Sequence, residues 1–156
     1  MFNITNLRFV TLRAYTTFCF LVFLFLAPYL SAQQRSIPDV SALDGMVFYG
    51  ETGALDDGQR EKADQVDTLS FTNGEFVSKS CVEFGFKPSR YKSWKENNTI
   101  YFEVITNSEE SGEIKWSGSL KNNRLNVVYH WVKGYWFGTI NKSYWFEGER
   151  TSSQAP

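Results

Sequence analysis

Hydrophobic and polar residues alternate with period two along most of this chain, which is the pattern of half-buried strands rather than of helices. The alternation is cleanest over Glu113–Lys121, where every even position holds an apolar residue or glycine. The pattern predicts seven strands: Gly45–Gly50, Val66–Thr72, Glu75–Cys81, Thr99–Thr106, Glu113–Lys121, Arg124–Lys133 and Ser143–Glu149. An eighth strand is added if Tyr135–Ile140 pairs. The chain is therefore predicted to be all-β.

The dipeptide Asn73-Gly74 separates two of these strands and is a strong hairpin signal, because both residues tolerate positive φ. A two-residue turn at this point places Phe71 opposite Phe76. The apolar residues of both strands then lie on one face of the sheet.

A second two-residue turn is predicted at Asn122-Asn123. Pairing outward from this turn places Trp116 opposite Tyr129. The other predicted pairs are Leu120 with Leu125, Gly118 with Val127, and Ile114 with Trp131. A shift by one residue would move every apolar side chain to the other face, so the register is well specified.

Three stretches lack a clear strand pattern. Glu51–Gln65 is mostly polar, and one helical turn is predicted within it at Gln59–Asp64. Val82–Asn98 is predicted to be irregular because glycine, proline and lysines interrupt any period. Gly134–Asn141 is predicted to be a glycine-containing connection.

Short consecutive strands joined mostly by tight turns predict an up-and-down antiparallel β-barrel of about seven or eight strands. Such a barrel buries one face of each strand and removes the sheet edges. A β-sandwich is the alternative. A barrel of this size has an interior just wide enough for side chains or for one small ligand.

The N-terminus has the organisation of a secretory signal peptide. Arg8 and Arg13 precede an apolar run, Phe18–Tyr29, and Ala32 suits the residue before a cleavage site. The protein is therefore expected to be exported, to the periplasm or the extracellular space. The expected division is a signal peptide (1–32), a flexible segment (33–42), one barrel domain (43–149) and a flexible tail (150–156).

Composition excludes several kinds of partner. Removing the first 32 of the 156 residues removes two arginines and no acid, so the net charge of −1 becomes −3. A weakly acidic chain without a basic cluster is not expected to bind nucleic acid, and no stable membrane insertion is expected after cleavage. Cys81 is the only cysteine after residue 32, so an intramolecular disulfide cannot form in the mature chain.

Several short stretches resemble small secreted bacterial proteins with a lipocalin-like (calycin-type) barrel. They are Leu43-Asp44-Gly45 with Phe48, Leu69-Ser70-Phe71 with Asn73-Gly74 and Phe76, Ser78 with Cys81 and Gly85-Phe86, Trp116-Ser117-Gly118, and Tyr144–Gly148. The resemblance covers about Leu43 to Glu149 and implies the barrel fold. Typical lipocalins carry Gly-x-Trp near the first strand, whereas Gly45 is followed here by Met46-Val47.

Candidate catalytic and metal-binding groups are sparse. Strict alternation places Cys81 and His130 on the outer faces of different strands, so no nucleophilic dyad is predicted. The acidic residues of Glu51–Asp64 have oxygens that suit calcium, but their spacing does not match an EF-hand loop and a solvated loop is the preferred interpretation. No catalytic residue, metal site or cofactor is predicted.

Aromatic residues are the remaining candidates, because 19 of the 124 residues after position 32 are Phe, Tyr or Trp. The predicted interior positions are Phe102, Trp116, Gly118, Tyr129, Trp131 and Phe146. Gly118 is expected to leave space beside the Trp116 ring. These positions support two hypotheses: an exported module that binds a small apolar or amphipathic ligand, or a non-enzymatic interaction protein of the cell envelope with a solid core. An enzyme is the third and least supported hypothesis.

Overall fold

The computed structural model describes residues 42–151, and this part of the chain forms ten strands and one four-residue helix. The signal peptide and most of the two predicted flexible ends lie outside the described residues. The strands are β1 (Met46–Asp56), β2 (Gln59–Arg60), β3 (Gln65–Thr72), β4 (Glu75–Ser78), β5 (Ser89–Arg90), β6 (Lys92–Glu96), β7 (Thr99–Ser108), β8 (Gly112–Lys121), β9 (Arg124–Tyr135) and β10 (Gly138–Arg150). The helix α1 is Lys79–Val82.

Nine of these strands form one antiparallel sheet in the order β5-β4-β3-β1-β10-β9-β8-β7-β6, and the short strand β2 pairs with β1. The sheet curls into a nearly closed barrel, because its two end strands, β5 and β6, are separated in the chain only by Tyr91. The segment Ser89–Glu96 pairs with β4 at its start and with β7 over most of its length. The predicted up-and-down barrel is confirmed, and the alternative sandwich is not formed.

Both predicted hairpin registers are confirmed. Phe71 lies opposite Phe76 across the Asn73-Gly74 turn, and Trp116 lies opposite Tyr129 across the Asn122-Asn123 turn. The three asparagines have φ between 51° and 68°, the left-handed region that asparagine tolerates better than most residues. The turn residues therefore place the apolar side chains of each hairpin on the inner face.

The prediction that Val82–Asn98 is irregular was wrong, since this stretch contains the strands that complete the barrel. The strand β5 has only two residues, and β6 has the sequence Lys-Ser-Trp-Lys-Glu, so neither has an apolar alternation. The side chains that mark the inner face here are Tyr91 and Ser93, both fully buried.

The predicted helical turn at Gln59–Asp64 was also wrong. Residues 59 and 60 form β2, and the following residues cross the outer face of β10. The indole nitrogen of Trp145 donates a hydrogen bond to the Glu61 carbonyl at 3.1 Å, and the Arg60 guanidinium lies 5.0 Å from the Trp145 ring centre. Trp145 points outward from the barrel but is nevertheless buried.

Two strand boundaries differ in ways that affect the candidate site. The strand predicted over Glu75–Cys81 ends at Ser78, so Cys81 lies in α1. The stretch predicted as a connection, Gly134–Asn141, continues β9 and β10 as one hairpin, with Tyr135 paired to Gly138.

The part of the chain described here contains no helix long and apolar enough to cross a bilayer.

Candidate functional site

A series of aromatic rings runs through the barrel interior. The ring centres of Phe71 and Phe76 are 5.3 Å apart, and the Trp116 ring lies 5.0 Å from that of Phe76. Trp116 stacks on Tyr129 at 4.4 Å, and Tyr129 stacks on Tyr144 at 5.1 Å. These distances correspond to direct ring contact. The rings therefore pack against one another along the inside of the barrel.

The structure places the six predicted interior residues as follows. Phe102, Trp116 and Phe146 are buried in the core, and Tyr129 and Trp131 are half-buried against it. Gly118 lies on the same face, because it pairs with Phe102 on one side. The inward orientation was thus correct for all six. Their contact with a ligand remains a prediction.

The expected space beside Gly118 does not exist. A Cβ atom added to Gly118 would lie 2.3 Å from Cε1 of the Phe102 ring. Phe102 is fully buried and its ring centre is 5.0 Å from that of Phe71, so the ring cannot move aside easily. The glycine makes room for a neighbouring aromatic side chain rather than for a ligand.

Polar side chains that the sequence pattern did not identify are buried beside the rings. The Trp116 indole donates to the Thr106 hydroxyl at 2.9 Å, and Thr52 donates to the Trp145 carbonyl at 2.7 Å. Because a threonine hydroxyl has one hydrogen, the Tyr129 hydroxyl is the donor in its 2.8 Å bond to Thr52. Burial raises the pKa of Tyr129 well above its ordinary value. Its hydroxyl is therefore a neutral structural donor.

A second polar cluster surrounds the buried carboxylate of Asp67 on β3. Asp67 accepts hydrogen bonds from the Ser78 hydroxyl at 2.6 Å and from the Ser80 backbone amide at 2.9 Å. These bonds hold the end of β4 and the start of α1 against β3. The buried carboxylate is therefore satisfied by local donors.

An open cleft of about 600 Å³ lies at one end of the barrel, where β1 ends and β10 begins. We call this end, which also carries the β7–β8 and β9–β10 connections, the open end. The cleft is lined by Ala54, Leu55, Asp56, Asp57, Glu61, Asp64 and residues 141–144. Its carboxylates favour cationic or polar molecules over apolar ones. Within residues 42–151 no group of three or more His, Cys, Asp or Glu side chains is placed to hold a metal ion.

Cys81 and His130 lie on opposite sides of the barrel wall. Cys81 is half-buried and packs against the interior core, so its predicted outward position was wrong. His130 follows the inward-facing Tyr129 on β9 and is exposed on the outer face, where its Nδ1 atom is 2.8 Å from the Ser143 hydroxyl. The wall of the barrel separates the thiol from the imidazole.

We expect the Cys81 thiol to react slowly in the folded protein, because burial raises its pKa and lowers its thiolate fraction. Cys81→Ala should change the free energy of unfolding by no more than about 2 kcal/mol. The rate of modification by a bulky thiol reagent is measured in the native and in the urea-unfolded protein. Both samples carry Cys19→Ser, which removes the other cysteine of the chain. Equal rates in the two states would contradict the buried position.

Comparison with known proteins found that no family model, no curated protein and no solved structure matches this chain. The class of the protein is therefore defined by its own geometry. It is an all-β protein with a nearly closed antiparallel barrel, compatible with a lipocalin-like fold.

Proposed function

We propose that this chain is a non-enzymatic, exported interaction protein with a calycin-type barrel whose interior is filled by its own side chains. The observation that carries the proposal is the unbroken series of ring contacts from Phe71 through Trp116 to Tyr144. A ligand-binding barrel keeps an apolar cavity with a few polar groups. Here the equivalent volume is occupied by aromatic side chains.

The contact between Gly118 and Phe102 supports the same conclusion. In the sequence, the inward position of Gly118 indicated space beside Trp116 that a ligand could occupy. With that space filled by Phe102, the solid-core hypothesis accounts better for the aromatic composition. Function is then expected to lie on the surface of the barrel, in its loops and at its open end.

Export is supported by the N-terminal pattern of Arg8, Arg13 and the apolar run Phe18–Tyr29.

Native mass spectrometry of the protein recovered from its exported compartment tests both parts of the proposal. We expect a mature chain that begins at Gln33 and carries no non-covalent adduct. The same sample measured under denaturing conditions is the control, since it separates a bound molecule from a covalent modification. A stoichiometric adduct lost on denaturation would favour the ligand-binding hypothesis, and retention of Phe18–Tyr29 would contradict export as a cleaved chain.

A further inference from the structure

The hairpin between β9 and β10 ends in three consecutive aromatic residues, Tyr135, Trp136 and Phe137, which we call the aromatic tip. Trp136 is 95 % exposed and Phe137 is 69 % exposed. Their rings contact each other edge-on at 5.2 Å, and the Phe137 ring stacks on Tyr135 at the same distance. Large apolar side chains are thus concentrated at one projecting point.

The turn chemistry of this hairpin differs from that of the other tight turns. Those turns use the pairs Asp57-Gly58, Asn73-Gly74, Asn97-Asn98 and Asn122-Asn123, each with at least one residue at positive φ. In the β9–β10 turn, Trp136 and Phe137 occupy these two positions. The residue with positive φ is Gly138, which follows them and has φ of 154°. Aromatic residues are poor turn formers, so their presence indicates a function other than forming the turn.

The aromatic tip projects beyond the neighbouring strands. The last β8 residue paired to β9 is Glu113, opposite Val132, and β1 pairs with β10 only from Tyr144 onward. The first residue of β8, Gly112, still flanks Lys133, since a Cβ on Gly112 would lie 3.0 Å from the Lys133 Cα atom. Two β9–β10 pairs extend past Lys133: Gly134 with Thr139, and Tyr135 with Gly138. At 3.3 Å per residue these two pairs and the Trp136-Phe137 turn together extend roughly 10 Å. This length matches the depth to which interfacial segments enter a bilayer, about 5–10 Å.

The charged side chains of the β9–β10 ribbon that carries the aromatic tip have one sign. No acidic residue occurs between Glu113 and Glu147. Lys133 lies two residues before the aromatic tip, whereas Lys142 lies lower on β10 and lines the open-end cleft. The Lys133 ammonium is 4.9 Å from the Tyr135 ring centre, which keeps a positive charge at the base of the tip. Trp and Tyr with flanking lysines are typical of the membrane–water interface.

We propose that the aromatic tip inserts into the interface of an anionic lipid bilayer, with Lys133 facing the headgroups. This inference rests on the proposed function, because it names a bilayer as the surface that the solid barrel contacts. The carboxylates of the open-end cleft, including Asp56 and Asp64, would be repelled by anionic headgroups. Insertion is therefore limited to the projecting ribbon, and the barrel body stays outside the membrane.

Flotation with phosphatidylcholine vesicles, with and without phosphatidylglycerol, tests this proposal on the purified protein. We expect binding to the anionic vesicles and a blue shift of tryptophan emission. Trp136→Ser with Phe137→Ser should weaken binding by roughly tenfold or more, because two apolar side chains no longer leave water. Lys133→Gln should weaken binding only to the anionic vesicles, by roughly fivefold.

The matched control is Tyr49→Ser with Ile105→Ser, which also removes two exposed apolar side chains but from the outer wall of the barrel. This variant should bind like the unmodified protein. Absence of binding to either vesicle, or equal losses in the tip and wall variants, would overturn the proposal. Native mass spectrometry tests the proposed function separately from vesicle binding. It detects a molecule bound inside the barrel, and such binding does not depend on the aromatic tip.

Discussion

Replacing Trp116 with alanine is expected to destabilise the protein by about 3–5 kcal/mol. The indole is only 3 % exposed and contacts the rings of Phe76 and Tyr129 at 5.0 and 4.4 Å. Its removal opens a cavity in the middle of the ring series and leaves the Thr106 hydroxyl without its 2.9 Å partner. Urea denaturation followed by circular dichroism measures the loss.

The control for this prediction is Trp136→Ala, which removes the same side chain from a position that is 95 % exposed. It should change the free energy of unfolding by less than about 0.5 kcal/mol. If Trp116→Ala prevents folding, Trp116→Phe gives a smaller and measurable loss, since the ring contacts are partly kept. Equal stability of the Trp116→Ala and Trp136→Ala variants would contradict the solid interior.

The parts of the barrel that could be predicted from sequence are those where turn chemistry and alternation agree. Asn73-Gly74 and Asn122-Asn123 specify the registers, because only one pairing across each turn places all apolar residues on one face. This agreement is enough to pair Trp116 with Tyr129 from the order of residues alone. It also identifies the inward-facing positions of the candidate site.

The remaining errors arise where local sequence does not determine the structure. The segment Ser89–Glu96 closes the barrel through pairs on both sides, and these depend on the distant strands β4 and β7. Trp145 is buried on the outer face only because residues 60 and 61 cross over it. Such contacts are between residues far apart in the chain, and a period of two carries no information about them.

The prediction of space at Gly118 was wrong for a related reason. A glycine on the inner face can mark a cavity or the close approach of another side chain, and the pattern of one strand does not distinguish these cases. The distinction depends on Phe102, which pairs with Gly118 across β7 and β8. A cross-strand aromatic residue opposite an inward glycine is the signal that could have identified the close approach.

Gly118→Ala is therefore expected to destabilise the protein by about 1–3 kcal/mol through overpacking. The new methyl group would lie 2.3 Å from the Phe102 ring and 2.9 Å from the Asn126 carbonyl oxygen, so buried neighbours must shift. If the interior instead held a cavity at this point, alanine would be neutral or stabilising, since it restricts the unfolded chain. Thermal and urea unfolding of the purified variant distinguish the two outcomes, because the free energy of unfolding falls in the first case and stays the same or rises in the second.

A double-mutant cycle with Phe102→Leu identifies the cause of the loss. Shortening the ring relieves the clash, so the double variant should be more stable than the sum of the two single changes predicts, by about 0.5–3 kcal/mol. Gly134→Ala is the matched control, because no atom lies within 4 Å of the position its Cβ would occupy. Strict additivity of Gly118→Ala and Phe102→Leu would show that the ring does not fill this space, and the case for a ligand beside Trp116 would return.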